Sequence, residues 1–136
     1  MRILLAYIAA AAVFIVVDLI WIVLVVLDLY EREIGDLLSD SPNGAMAAIF
    51  YIGYIAGVLL LASLPAVEKG AWKVAAINGA VIGAIGYGTY TVTNYTVLTG
   101  WTMTLVVTDI LWGAFITALI ALVGYIVARP PASQST

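Results

Sequence analysis

Four apolar stretches, each long enough to cross a bilayer, constrain this chain more than any other feature. A hydrocarbon core about 30 Å thick takes roughly 20 residues of helix. Inside it only helices and closed barrels can satisfy their own backbone groups. The stretches run over about 3–29, 45–64, 71–98 and 101–128. Composition agrees: 65% of the residues are hydrophobic and 10% charged, against about 45–50% and 25% in soluble domains. The expected fold is an all-α integral membrane protein, a four-transmembrane-helix antiparallel bundle filling residues 1–129. A chain of 136 residues leaves no room for a separate soluble module. The N-terminal stretch resembles a secretory signal only at first sight. Its apolar run passes Ala12 and reaches Leu27, longer than a signal's core, so a retained span is expected.

The connections are short and differ in charge. After Leu29 comes Tyr30-Glu31-Arg32-Glu33-Ile34-Gly35-Asp36-Leu37-Leu38-Ser39-Asp40. Ile34, Leu37 and Leu38 fall at i, i+3, i+4, which suggests a short amphipathic helix at the interface. Ser41-Pro42-Asn43-Gly44 reads as a turn with Asn43 as a helix cap. Pro65 ends the second stretch, and Thr99-Gly100 is so short a turn that spans three and four must be antiparallel neighbours. Pro130-Pro131 close the fourth span, and 130–136 reads as a disordered polar tail. Arg2, Lys69, Lys73 and Arg129 share one side of the bundle, while Arg32 stands on the other in an acidic setting. Positive residues mark the cytoplasm, so both termini are expected there.

What the chain lacks excludes much chemistry. It has no cysteine and no histidine, which removes disulfides, thiolate nucleophiles, the commonest metal and haem ligand and the usual neutral-pH base. No cofactor and no metal are expected. The acidic residues of the first connection, Asp28, Glu31, Asp36 and Asp40, lack the spacing of a calcium loop. With a net charge of −3 and no basic cluster, nucleic acid is a poor partner.

Against that background two aspartates stand out. Asp18-Leu19-Ile20-Trp21 in the first span has an echo in Asp109-Ile110-Leu111-Trp112 in the fourth. Residues three apart share a helix face, so in each case carboxyl and indole project together. At a rise of about 1.5 Å per residue, Asp18 lies about 22 Å and Asp109 about 18 Å from the inner side. Tyr51 and Tyr54 of the second span reach a similar level. So does the third-span stripe Gly83, Tyr87, Tyr90, Asn94, spaced i, i+4, i+7, i+11. All five cationic residues sit at span ends. The expected solution is a pair of protonated carboxyls held by neutral donors, sharing a pocket with Trp21, Tyr51, Tyr54, Tyr87, Tyr90, Asn94 and Trp112. The plainer reading makes the aspartates interhelical glue of roughly 1 kcal/mol each, and the tyrosines buried donors and packing. Trp72, Trp101 and Tyr30 fit the interfacial aromatic belt. The glycines of span three, Gly79-x-x-x-Gly83 among them, suit close helix approach.

Laid out in this way, the chain resembles the domain of unknown function 2177 family of small predicted bacterial membrane proteins. The match covers nearly all of 1–128. It rests on Asp18-x-x-Trp21, Tyr30 with the charged residues after it, and Phe50-Tyr51-x-x-Tyr54. It continues in Gly83-x-x-x-Tyr87-x-Thr89-Tyr90 with Thr93-Asn94, and in Asp109-x-x-Trp112-Gly113. The resemblance implies a multi-pass protein of the bacterial inner membrane and supplies no activity. The family pattern carries an aspartate after the third-span Thr-Tyr; here Thr91 stands in that place. If a third carboxylate belongs to a shared mechanism, its loss favours binding or structure over catalysis.

Three functions fit these residues. One is a two-aspartate pocket opening toward the outer half that binds or moves a small lipophilic molecule or a proton. The second is an accessory subunit packed against partner chains of a respiratory or photosynthetic complex. The third, ranked last, is a lipid- or isoprenoid-modifying enzyme with one carboxyl as acid and the other as base. The residues leave open whether the chain is an enzyme, and the balance leans against it.

Overall fold

A computed structural model describes residues 1–130. The expected polar tail, from residue 131 on, lies outside the described residues. Among them every regular element is helical. Four long helices run antiparallel in sequence order: α1 (Arg2–Leu37), α2 (Gly44–Lys69), α3 (Trp72–Val97) and α4 (Met103–Ala128). By length and apolar composition α1, α2 and α4 can each cross a membrane. The fourth, α3, matches α4 in length at 26 residues but dilutes its apolar content with glycine, threonine, tyrosine and Asn78. The molecule is an all-α membrane bundle.

At the centre is α4, with more buried positions than any other helix. Its contact with α3 is the most extensive in the molecule, and glycine makes it so close. A Cβ on Gly83 would collide with the Gly113 carbonyl and the Thr117 hydroxyl, and one on Gly113 would strike the Tyr87 ring. A Cβ on Gly79 would come within 2.8 Å of the Ala118 backbone. Small residues let backbones touch where lipid supplies no hydrophobic drive. This seam lays the Tyr87 ring directly across α4.

The two outer helices depart from the sequence expectation in an instructive way. The first connection does not form a separate interfacial helix. Instead α1 continues through Tyr30 to Leu37 without a break, with a π-helical turn at Ile22–Val26 and a final 3-10 turn at Gly35–Leu37. The charged residues after Leu29 simply carry the same helix out of the apolar zone, as Glu, Arg and Leu are good helix formers.

Likewise α2 does not stop at Pro65 but runs to Lys69. Proline lacks the N–H that would bond to the carbonyl four residues earlier, here Leu61. The helix widens into a π turn at Leu59–Ser63 just before it, and the Asn78 amide of α3 donates to the Leu61 carbonyl at 3.2 Å. The freed acceptor is thereby satisfied from a neighbouring helix.

These contacts hold α2 unevenly. Its half on the side of the two chain termini, called inner as a label, is fastened to α4: buried Ser63 donates to the Ala121 carbonyl at 2.9 Å, and Ala62 and Ala66 are fully buried. Its outer end is not, and every residue from Gly44 to Phe50 is exposed to the surroundings. Asn43 caps that end by accepting the Met46 N–H, as the turn residues suggested. On α1, Ala6, Ala10 and Phe14 bury the inner half, and Phe14 meets Tyr51 with ring centroids 4.8 Å apart. At the outer end α1 and α4 stay packed around Leu29, Ile34, Trp101, Leu105 and Val106, so the bundle opens only where α2 stands away from them.

Gly83→Ala and Gly113→Ala are therefore expected to push α3 from α4 and to destabilise the bundle by about 1–3 kcal/mol each. Gly57→Ala, where a methyl meets nothing within 4 Å, should be close to neutral. Thermal unfolding of the three variants in detergent measures the difference.

Candidate functional site

Where α2 stands away from the other helices, all four line one cavity of about 410 Å³. It is built on a stripe of α1 at steps of four: Asp18, Ile22, Val26 and Tyr30. In an unbroken α-helix twelve residues turn Tyr30 about 120° away from Asp18. The π turn at Ile22–Val26 absorbs one extra residue, so twelve behave as eleven and the offset falls to about 20°. One local widening thus brings a distant tyrosine onto the aspartate's face.

The two aspartates do not pair with each other. Each is held by a neutral donor from the opposite helix. On α1, Asp18 Oδ1 accepts the Trp112 indole N–H of α4 at 3.0 Å, and on α4, Asp109 Oδ1 accepts the Tyr30 hydroxyl of α1 at 2.7 Å. Between these crossed bonds the indoles of Trp21 and Trp112 stack, with centroids 4.3 Å apart and planes within 4°. The two Asp-x-x-Trp motifs thus form one clamp across the α1–α4 contact. Neutral donors serve here because every lysine and arginine lies elsewhere. Arg2 donates to the Arg129 carbonyl, Arg32 lies 3.6 Å from Glu33, and Lys73 and Arg129 approach Trp72 and Tyr125. Lys69 ends α2.

The wall opposite is aromatic. Phe50, Tyr51 and Tyr54 come from α2 and Tyr87 and Tyr90 from α3. Tyr54 shares a 2.7 Å hydrogen bond with Thr117, which ties this wall to α4. Two polar atoms are left over. The second carboxylate oxygen of Asp109 and the hydroxyl of Tyr87 are buried with no hydrogen-bond partner among the described residues. Such groups cost about 1–3 kcal/mol each when nothing meets them.

Of the nine residues singled out from sequence, Asp18, Trp21, Tyr51, Tyr54, Tyr87, Tyr90, Asp109 and Trp112 line this cavity. Asn94 does not. It lies one turn beyond Tyr90, which carries it past the rim, and its backbone carbonyl receives the Leu98 N–H at the end of α3. Two supposed belt residues are also reassigned. Tyr30 is the donor to Asp109. Trp101, only 8% exposed, packs edge-to-face with both Tyr30 and Tyr90 and donates to the Thr91 hydroxyl at 3.1 Å. Trp72, 55% exposed, keeps the expected peripheral place. Thr91 is fully buried and stands beside the Asp109 carboxyl. No run in the sequence signals the π turn, because Ile22–Val26 is uniformly apolar. Without it Tyr30 points away from the site.

Among the described residues no group of three or more Asp or Glu side chains is placed to hold a metal ion. What the geometry brings together is two carboxyls, five phenols and an aromatic lining around one open space.

If the crossed bonds stabilise the bundle, Tyr30→Phe and Asp109→Leu should be coupled by about 1 kcal/mol in a double-mutant cycle of unfolding in detergent. Independent effects would mean that the hydroxyl and carboxyl do not interact. Trp112→Phe removes the N–H and the second ring but keeps one aromatic ring against Trp21. It should therefore cost less than Trp112→Ala in the same assay.

A search of the curated proteins finds no match, and neither does a search of the solved structures. A family model does match, over residues 3–126, and its description is a predicted membrane protein. That span takes in all four helices and every residue of the cavity, and the chain belongs to this family, DUF2177.

Proposed function

We propose that the protein is a membrane-embedded binding protein whose lateral cavity holds a small lipophilic molecule, with Asp18 and Asp109 meeting its polar end. The observation that carries this reading is the cavity itself, lined from all four helices with the Asp18 and Asp109 carboxyls and five tyrosines on its wall. Buried polar side chains cost stability, so two carboxyls beside an open space call for a use. Pocket size suits a small ligand, since such sites commonly span roughly 300–1,000 Å³. The loosely held outer end of α2 offers a route in from the bilayer without passage through water.

In this reading the protein sits in the bacterial inner membrane with both termini in the cytoplasm, and the cavity opens in the outer half. The bias of lysine and arginine supports that orientation. The chain contains no cysteine, so single cysteines at Ser39 and Lys69 can report it. An impermeant maleimide added to intact cells should label Ser39→Cys and spare Lys69→Cys. The reverse pattern would invert the topology.

For the cavity itself, the expected outcome is a co-purifying molecule, detected by mass spectrometry of protein extracted in mild detergent. Gly86 lines the cavity, and a Cβ there meets only the Tyr54 ring at 3.7 Å. Gly86→Leu should therefore fill the cavity without touching the crossed bonds, and displace that molecule. Asp18→Asn and Asp109→Asn should keep the fold and weaken retention. Retention that is equal in the parent and all three variants would sink the reading and leave the aspartates as packing.

A further inference from the structure

We infer that the molecule this cavity takes is a lipophilic cation, an alkyl ammonium whose head rests between Asp18 and Asp109 and whose chain leaves toward lipid past the outer end of α2. The inference rests on the binding reading above and narrows it to a charge class. Three observations carry it. First, the cavity wall holds two carboxyls and no lysine or arginine. An anionic amphiphile such as a fatty acid would find no opposite charge there, whereas a cation can take the place of the carboxyl protons as it enters. Second, only neutral groups meet the carboxyls: the Trp112 indole at Asp18, and the Tyr30 hydroxyl at Asp109 with Thr91 beside it, and Asp18 stays half-buried on the cavity wall. A cation is the partner such carboxyls lack, because burying an ionised carboxylate is favourable only beside an opposite charge. Third, aromatic side chains from every helix line the same space. Aromatic rings attract organic cations through their electron-rich faces and are the usual enclosure for quaternary ammonium groups. Among the described residues no group of three or more acidic side chains is placed to hold a metal ion.

The other titratable groups on the wall are Tyr30, Tyr51, Tyr54, Tyr87 and Tyr90. None is a cation in any protonation state. The charge balance of the empty cavity is thus set by the two aspartates alone. An uncharged alcohol could satisfy Tyr87 and Asp109 by hydrogen bonding, but it would leave the second carboxyl and the aromatic enclosure without a purpose. The ammonium uses all of them together.

Three ligands that share one decyl chain test this: radiolabelled decyltrimethylammonium, decanol and decanoate, each measured on the purified protein in a non-ionic detergent. The ammonium should bind about tenfold or more tightly than decanol, and decanoate should not compete. Asp109→Asn should lower ammonium affinity by about tenfold or more while leaving decanol binding within about twofold, which also verifies that the variant is folded. Asp18→Asn should act in the same direction, and Gly86→Leu should reduce binding of both ligands. Equal binding of decanol and ammonium, or ammonium binding that survives both Asn substitutions, would overturn the cationic assignment. If decanol still binds and Gly86→Leu still blocks it, the binding cavity stands. Failure of all three ligands to bind would overturn the cavity along with the cation.

Discussion

A carboxyl group below the surface of a bilayer must find a hydrogen-bond partner or be excluded, and this chain places two of them there without a cation beside either. The crossed arrangement answers that demand. The indole of α4 serves the carboxyl of α1, and a phenol of α1 serves the carboxyl of α4. Each aspartate is thereby a reason for α1 and α4 to stay in contact. Hydrophobic burial cannot supply that reason in lipid, where tails are as apolar as leucine. The indole stack between the two bonds adds area and fixes the rotation of both helices.

That rotation would be unattainable in a straight α1. Asp18 and Tyr30 are too far apart in sequence to share a face in regular geometry, and the π turn between them corrects the phase. The backbone of a π turn is less favourable than that of an α turn, which is why such turns concentrate where something else is gained. Here the gain is the hydrogen bond to Asp109. A second π turn in α2 has a different cause, the missing N–H of Pro65, and a different remedy, the amide of Asn78. The first turn keeps α1 against α4 as far as Tyr30 and Ile34, and the second keeps the half of α2 near Ser63 against α4.

The bundle was readable from the sequence because its signals are long and redundant. Twenty apolar residues need a membrane whatever their order, and a two-residue Thr99-Gly100 turn leaves α4 no choice but to return along α3. Asp18 and Asp109 could be placed at one level by counting residues, since the rise per residue is nearly constant. Rotation is another matter. It depends on the local turn type, and an error of one residue moves a side chain by about 100°. Tyr30 was misjudged for that reason. Trp101 looked interfacial because it follows a turn, and the turn proved to be tucked against Tyr30 and Tyr90. Asn94 was misjudged in depth, as it continues the stripe of Tyr87 and Tyr90 but rises beyond the cavity. Periodicity identifies a face and does not say where along it the neighbouring helices end.

The choice of neutral donors also bears on what the site is for. An arginine beside Asp109 would have closed a bidentate pair, satisfied both oxygens and left nothing for a ligand to supply. Tyrosine and tryptophan each bring one N–H or O–H and then stop. They hold the carboxyls in position and leave half of their hydrogen-bonding capacity, and all of their charge, to be met from outside. A bundle that needed only rigidity would gain more from leucine at positions 18 and 109, because replacing buried polar pairs by well-packed apolar residues is often stabilising. Retaining two half-satisfied carboxyls beside an open space is a cost in stability. In the proposed binding role, an occupant of that space would recover it.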